Sequence, residues 1–162
     1  MKYIQYLVGM VGIFFLFCFF QGCSKMKPIN GSQSYFLKNG KVIYSYHGSK
    51  IIKGANEVKG ADIETFTPLN DYFAKDKNCV YWHSSKIEKA DPKTFQFLKN
   101  TEYQNSFSNY YTRDKNYFFY TTKILENVDA DTFTVYGYNA KDKNYLYCKG
   151  KAFDKKEYSR CP

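Results

Sequence analysis

Repeated aspartates are the residues of this sequence whose chemistry is the first to consider. The triplet Asp-Lys-Asn begins at Asp76, Asp114 and Asp142. Converging carboxylates can bind calcium, and a facing pair can hydrolyse glycosidic bonds. Here a lysine follows each aspartate directly, and the triplet suits a turn. We therefore expect no metal site, no cofactor and no catalytic residue among these aspartates.

Other catalytic groups are sparse. There are two histidines, His47 and His83, and both lie near predicted turns, where a solvated or turn-bonded imidazole is the ordinary outcome. The sequence contains no nucleophile elbow, no glycine-rich phosphate loop and no Cys-x-x-Cys pair. These observations predict a protein that is not an enzyme.

Aromatic side chains offer a different chemistry, which is the stacking of sugar rings. The chain has 17 tyrosines, 15 phenylalanines and one tryptophan. A tyrosine stands four residues before each triplet, at Tyr72, Tyr110 and Tyr138. Most aromatic residues of a globular domain serve its core, so only an exposed subset could bind a ligand.

The triplet is explained by turn formation. Aromatic and β-branched residues on both sides predict two strands joined by a tight turn. The aspartate carboxylate can accept hydrogen bonds from downstream amides, and asparagine tolerates the left-handed conformation. The predicted structural turn residues are Asp76, Asn78, Asp114, Asn116, Asp142 and Asn144.

A second motif, Asp-x-x-Thr-Phe, accompanies the first. It spans Ala61–Phe66, Ala90–Phe95 and Val128–Phe133, counting the residue before each aspartate. In Asp91-Pro92 the aspartate suits an N-cap and the proline suits a first helical position, which predicts one short helical turn. The distance from triplet to second motif is 15 residues from Asp76 to Asp91 and again from Asp114 to Asp129. This shared interval indicates an internal repeat, in which each unit runs from a strand through the triplet turn and a second strand to Asp-x-x-Thr-Phe at its end. The motif would place Phe66, Phe95 and Phe133 in the core, and Lys149-Gly150 would form a tight hairpin connection.

These motifs predict a mainly β fold of about three to four antiparallel β-hairpin units. We expect the units to stack as a meander or solenoid-like sheet, with short helical turns at Asp-x-x-Thr-Phe. Alternation along the second strand of each hairpin assigns Val80 and its equivalents to the core. The intervening column would be either a second covered face or a binding face, and it consists of Tyr81, Phe119 and Tyr147.

The N-terminus has the order of a secretory signal. Lys2 precedes an apolar run over residues 3–20, and Gly22 and Cys23 follow it. This pattern predicts a signal peptide over 1–22, lipidation of Cys23, a tether over 23–33 and a repeat domain over 34–162. An uncleaved membrane anchor and plain secretion are the alternatives. All three place the domain outside the cytoplasm, and Ser24 after the cysteine favours the outer membrane if the cell is Gram-negative.

The remaining cysteines and the charge fit an exported protein. Cys148 and Cys161 are the candidate disulfide, which would leave Cys79 as a free thiol; three reduced thiols are the alternative. The net charge is +9, but the lysines are scattered and often adjoin acids. An evenly solvated surface is therefore favoured, and no nucleic-acid partner is expected.

The three Asp-Lys-Asn copies and the companion at Ala90–Phe95 resemble the DKNYY family of bacterial proteins, over about residues 40 to 150. Two copies continue with tyrosine, at Tyr117 and Tyr145, whereas Cys79 takes that place in the first copy. The resemblance implies a repeat protein that is exported or lipid-anchored in many members. It implies no activity, since the family's function is unknown.

Together these observations predict a lipid-anchored protein of the cell envelope with a non-enzymatic binding or shielding role. Its partners would be the membrane, through the N-terminal lipid, and an envelope glycan or protein. A purely structural surface spacer is one alternative. An immunity or inhibitor lipoprotein against a toxin or envelope hydrolase is the other.

Overall fold

The computed structural model describes residues 25–46, 56–101 and 110–156, and these residues are mainly β. No α-helix occurs within these ranges, and thus none that could span a membrane. The strands of the described residues are β1 (Lys27–Pro28), β2 (Tyr35–Lys38), β3 (Lys41–Tyr44), β4 (Asn56–Glu57), β5 (Thr67–Pro68), β6 (Phe73–Lys75), β7 (Val80–Trp82), β8 (Ser85–Lys86), β9 (Gln96–Phe97), β10 (Tyr111–Arg113), β11 (Phe118–Tyr120), β12 (Lys123–Leu125), β13 (Thr134–Tyr136), β14 (Asn139–Lys141), β15 (Tyr145–Cys148) and β16 (Lys151–Asp154).

The strands form four separate four-stranded antiparallel sheets, each a meander in chain order. We call them sheet 1 (β1–β4), sheet 2 (β5–β8), sheet 3 (β9–β12) and sheet 4 (β13–β16). The prediction of a mainly β fold built from repeated antiparallel units is confirmed. Within the described ranges the units remain separate sheets, and they do not join into a solenoid.

Successive sheets pack face to face, which explains why both faces of a strand are apolar. One core cluster joins Tyr35 and Val42 of sheet 1 to Ala74 and Tyr81 of sheet 2. The opposite face of sheet 2 packs against sheet 3 through a second cluster that includes Phe73. A third cluster joins sheets 3 and 4. A side chain on either face of an inner sheet therefore enters a core.

The central hairpins of sheets 2, 3 and 4 turn at the three Asp-Lys-Asn triplets, as predicted. Sheet 1 uses Asn39-Gly40 at the same place, with φ of 51° and 69°. Such paired left-handed residues make the two-residue turn that suits a twisted hairpin. Lys149-Gly150 forms the predicted tight connection between β15 and β16 in the same way, with φ of 48° and 76°.

The predicted left-handed asparagines are not found. Asn78, Asn116 and Asn144 are absent from the described residues with positive φ. The left-handed residues lie instead at the opposite end of the hairpins, at His83 and Thr121 among others, with φ of 55° and 53°. The aspartate carboxylate closes the triplet turn by itself, as described below, so the asparagine need not adopt a strained conformation.

The Asp-x-x-Thr-Phe motifs form single hydrogen-bonded turns and do not extend into helices. In the first, the Thr65 amide donates to the Asp62 carbonyl at 3.3 Å, and the other two copies repeat this bond. Each motif leads directly into the first strand of a sheet. The phenylalanine that ends it enters the core, as predicted: Phe66 and Phe95 are buried, and Phe133 packs against the third cluster.

A polar insertion, Lys99–Ser108, lies between the first and second triplets, and it begins as an ordered bridge. Asn100 pairs with Val135 of β13 in a parallel bridge, and its side chain exchanges two hydrogen bonds with Gly137. Asn100 is buried. The start of the insertion therefore ties the end of β9 to sheet 4, while residues 102–109 lie outside the described ranges.

Candidate functional site

Two of the three triplet corners have the same hydrogen-bond geometry. In the first corner, one oxygen of Asp76 accepts from the amides of Asn78 and Cys79, both at 2.7 Å. The other oxygen accepts from the Asp62 amide at 2.8 Å and from the Tyr81 hydroxyl at 2.9 Å. Asp142 repeats the set with equivalent residues of sheet 4. Four internal donors occupy each carboxylate, so it has little capacity for a ligand.

The third member differs in one bond. Asp114 accepts from the amides of Asn116, Tyr117 and Asp91, each at 2.7 Å. The residue equivalent to Tyr81 is Phe119, which has no hydroxyl to donate. The corner in sheet 3 thus has one hydrogen bond fewer than the other two.

The two motifs are linked within a sheet, and not across the shared 15-residue interval. The bonds run from Asp62 to Asp76, from Asp91 to Asp114 and from Asp129 to Asp142. Asp-x-x-Thr-Phe therefore opens a unit, whereas the sequence repeat suggested that it closes one. The constant interval measures the connection from one sheet to the next, because that segment contains two strands and no insertion.

Threonine and lysine complete the link. The Thr65 hydroxyl donates to Asp62 and accepts from the Lys77 amide at 3.1 Å. The Lys77 ammonium pairs with Asp62 at 2.7 Å, and both other units have the same ion pair. The triplet lysine is thus paired in each unit, which explains its repetition without a ligand.

Ionisation follows from these contacts. Burial raises the pKa of Asp76, but the hydrogen bonds to its carboxylate outweigh that cost, so its pKa lies below the ordinary value. The same balance holds for Asp142. The Lys77 contact lowers the pKa of Asp62 as well. These aspartates are carboxylates at neutral pH and serve as fixed acceptors.

The candidate binding face of Tyr81, Phe119 and Tyr147 does not reach the surface. All three side chains are 0–1% exposed. They enter the cores between successive sheets, and two of them also donate to corner aspartates. The column assigned to the core is mixed, because Val80 is buried whereas Phe118 is half-buried. The first of the two alternatives is correct: both faces are covered by neighbouring sheets.

Exposed tyrosines lie instead at the opposite end of the hairpins. Tyr72, Tyr110 and Tyr138 stand just before β6, β10 and β14, at the end remote from the triplet corners. Together with Tyr46, which follows β3, they form a continuous series of ring contacts. The centroids are 5.8 Å apart for Tyr46–Tyr72, 6.4 Å for Tyr72–Tyr110 and 6.0 Å for Tyr110–Tyr138. We call these four residues the tyrosine patch.

The tyrosine patch combines exposure with support from below. Tyr46 is 48% exposed and Tyr138 is 51% exposed, whereas Tyr72 and Tyr110 are half-buried. Trp82 packs against both half-buried members, at 5.4 Å from Tyr72 and 5.6 Å from Tyr110. All four sheets thus contribute to one aromatic surface.

Two hydroxyls of the tyrosine patch, those of Tyr72 and Tyr110, are neutral at physiological pH. The Tyr46 and Tyr72 hydroxyls lie 3.2 Å apart, and that contact raises the pKa of Tyr72 to about 12. Desolvation, with the nearby Tyr138 and Tyr46, raises the pKa of Tyr110 as well. The surface therefore offers apolar ring faces and hydroxyls that both donate and accept.

A cavity of about 490 Å³ adjoins the Tyr46 and Tyr72 members. Its other described lining residues are Asn30, Gly31, Ser32, Gln33, Pro68, Leu69, Asn70 and Asp71. A larger cavity, of about 570 Å³, lies at the corner of sheet 3 and includes Arg113 and Lys115. The cavity beside the tyrosine patch has the mix of aromatic and hydrogen-bonding groups that is typical of small-ligand sites.

His83 lies beneath the tyrosine patch and has no catalytic partner in the described residues. Its ring stacks on Trp82 at 4.3 Å and on Tyr44 at 4.6 Å. Its buried Nε2 has no hydrogen-bond partner there, and burial lowers the pKa of the imidazole. A neutral imidazole packed between rings acts as a spacer in this aromatic layer.

Two of the cysteines with predicted roles, Cys79 and Cys148, lie within the described residues. Cys148 is disulfide-bonded and Cys79 is free. Cys161, its predicted partner, lies outside the described residues, as do Cys23 and His47, so the pairing with Cys161 and the lipidation remain predictions. The described ranges hold no group of three or more metal-ligating side chains.

One signal in the sequence marks three of the four members of the tyrosine patch. The fixed offset of four residues before each triplet marked Tyr72, Tyr110 and Tyr138 as equivalent. Tyr46 has no such mark, because it lies in the sheet that lacks the triplet.

Compared with models of known protein families, with curated proteins and with solved structures, the chain matches none of them.

Proposed function

We propose that this chain is a lipid-anchored protein of the cell envelope that binds an envelope glycan without catalysis, by stacking sugar rings on the tyrosine patch. The observation that carries the proposal is the unbroken series of ring contacts from Tyr46 to Tyr138, contributed by all four sheets. The N-terminal signal supplies the location. The resemblance to the DKNYY family rests on the triplets and their companion at Ala90–Phe95, and what it implies agrees with that location.

Ring stacking suits a sugar because a pyranose has an apolar face and a hydroxylated rim. The tyrosine patch has the complementary arrangement, since its rings are apolar and its hydroxyls can both donate and accept hydrogen bonds. Tyrosines held by packing also lose little conformational entropy when a ligand binds. Trp82 and the two half-buried members provide that packing.

The lack of a catalytic centre in the described residues favours binding over turnover. The repeated carboxylates are occupied by internal donors, and His83 is neutral and enclosed by aromatic rings. A glycoside hydrolase needs two carboxyl groups facing one bond in contrasted environments. The aspartates of the corners share one environment and one structural role.

The decisive experiment replaces the two exposed members of the tyrosine patch, as Tyr46→Ala with Tyr138→Ala. Binding to purified cell-wall glycan in a pull-down should weaken by about tenfold, because the two substitutions remove the most accessible ring faces of the tyrosine patch. Ile63→Ala is the matched control, since Ile63 is 43% exposed and lies outside the tyrosine patch. Equal binding by both variants and the unmodified protein would refute the proposal.

The same experiment separates the two alternative functions. A surface spacer should show no glycan binding in any form of the protein. An inhibitor should bind its enzyme with an affinity that does not depend on glycan. For the anchor, Cys23→Ser should abolish incorporation of labelled fatty acid, and persistent labelling would contradict lipidation at this residue.

A further inference from the structure

The cavity beside Tyr46 and Tyr72 differs in charge from the rest of the protein. The chain has 24 basic residues and a net charge of +9. Among the described lining residues of this cavity there is no lysine or arginine, and Asp71 is the only acid. Two other cavities among the described residues, one at the corner of sheet 3 and one lined by Tyr145 and Tyr147, each include lysine. An acidic, aromatic cavity on a basic protein indicates a ligand of positive charge.

Asp71 is placed to meet such a ligand together with aromatic faces. It directly precedes Tyr72, and both line the cavity with Tyr46. The Tyr46 and Tyr72 rings stack nearly parallel, at 21°. One Asp71 oxygen is 3.4 Å from the Ser34 hydroxyl, a long hydrogen bond that leaves the carboxylate acceptor capacity. A carboxylate beside tyrosine faces is the combination that recognises an ammonium group.

Hydrogen-bonding groups complete the wall. Asn70 accepts from the amides of Tyr72 and Phe73 through its side-chain oxygen, at 2.8 Å each. Its side-chain nitrogen therefore remains as a donor. Asn30 and Gln33 add further amide groups to the lining. These groups match sugar hydroxyls, which both donate and accept.

From this arrangement we infer that the cavity is a subsite for an amino sugar of the bound glycan, with the ammonium of that sugar against Asp71 and the tyrosine faces. The inference rests on the proposed function and adds a selectivity to it. An acidic sugar would place its carboxylate against Asp71, where like charges repel. The protein should therefore reject acidic glycans in spite of its positive net charge.

The test compares three oligosaccharides of equal length, made of glucosamine, N-acetylglucosamine and a uronic acid. Titration calorimetry at about pH 6 and low ionic strength keeps the amine charged and the contact unscreened. We expect affinity to fall in that order. Asp71→Asn should reduce the preference for glucosamine over its acetylated form by about three- to fivefold, the effect of a partly solvated ion pair.

Control variants separate the two proposals. Asp131→Asn removes an exposed acid outside the cavity and should leave the order unchanged. A drop in affinity of up to about tenfold in Tyr46→Ala, with the order retained in the unmodified protein, supports both proposals. If no oligosaccharide binds the unmodified protein, the proposed function fails. If all three bind equally, or the uronic acid binds best, only the amino-sugar subsite fails.

A lysine tetrapeptide tests the remaining source of an ammonium group, which is a protein partner. It should bind more weakly than the glucosamine oligosaccharide, because it lacks rings to stack on the tyrosine patch. A peptide that binds as tightly, and that loses affinity equally in Asp71→Asn, would overturn the assignment to a sugar.

Discussion

The central hairpins of sheets 2, 3 and 4 have two ends of opposite character. At the corner end, three copies of one aspartate network repeat nearly atom for atom, with each carboxylate inside its turn. At the other end, tyrosines from the sheets meet in one surface, and their rings are partly exposed. The repeated aspartates accept hydrogen bonds from their own units. Side chains that can still contact a ligand lie at the opposite end of the hairpins, among the tyrosines.

The largest expected effect comes from a substitution at the corner end of the hairpins. Asp76→Ala removes the acceptor of four hydrogen bonds and leaves buried amides unpaired, which should lower the free energy of unfolding by about 2–4 kcal/mol. Urea denaturation measures it. Asp131→Ala is the control, because Asp131 is exposed. An unchanged stability would show that the corners are not structural.

A second substitution tests the close packing of Gly150 against Tyr120, at the end of the hairpins opposite the triplet corners. Gly150 has φ of 76°, and an added Cβ would lie 2.6 Å from the Cβ of Tyr120. Gly150→Ala should therefore lower the free energy of unfolding by about 1–3 kcal/mol. Gly31→Ala has a similar φ and nothing within 4 Å, so it isolates the backbone contribution. Equal losses of unfolding free energy in the two variants would show that the close approach of Gly150 to Tyr120 adds nothing.

A third substitution should strengthen the weakest corner. Phe119→Tyr would supply the hydroxyl that Tyr81 and Tyr147 donate at 2.9 Å and 2.8 Å in the other sheets. If the Asp114 corner has room for it, the midpoint of urea denaturation should rise by the equivalent of about 1 kcal/mol. A fall would mean that the packing around Phe119, which is fully buried, differs from that around the tyrosines.

The pH dependence of stability tests whether His83 is buried in the aromatic layer beneath the tyrosine patch. Burial lowers the pKa of His83 below its ordinary value of 6.5, so the unfolded chain binds the proton more readily than the folded one. Stability should therefore decrease as the pH falls below about 6.5 and level off once the folded imidazole is protonated. His83→Asn, which suits the positive φ, should flatten this part of the curve in thermal unfolding. An unaltered curve would contradict burial of the imidazole.

The smallest stability effect is expected on the tyrosine patch itself. Tyr138 is 51% exposed, so Tyr138→Ala should change the free energy of unfolding by less than about 0.5 kcal/mol. Combined with reduced glycan binding, that result would separate function from folding. A loss as large as that of Asp76→Ala would mean that both ends are structural.

Sequence patterns predicted the turns and strands of this fold better than the contacts between its motifs. The triplet turns, the tight Lys149-Gly150 connection and the mainly β repeat follow from local chemistry, which a single hairpin satisfies. The bond from Asp62 to Asp76 was missed because repetition reveals intervals and does not reveal which motif of a pair begins a unit. The interval from Asp62 to Asp76 differs from that between Asp91 and Asp114, which contains the insertion.

The site was harder to predict for a physical reason. Alternation along a strand distinguishes two faces only when one of them meets water, and here neighbouring sheets cover both faces of the strands that carry Tyr81 and Phe119. The exposed aromatic residues therefore lie at the ends of strands, where alternation carries no information. Tyr46 in particular joins the tyrosine patch through the arrangement of sheets 1 and 2, which no local pattern encodes.

The linkage of each opening motif to its own corner has a consequence for the order in which the molecule can be assembled. Asp62 and Asp76 are 14 residues apart in the chain, so a unit can close its own network as soon as its segment has been synthesised. Tyr81, however, packs against the sheet made before it. Growth should thus proceed from sheet 1 toward sheet 4, with each new sheet packing on its predecessor. The shortest fragments that fold should end after Ile87 or Leu125, at the closing strand of a unit.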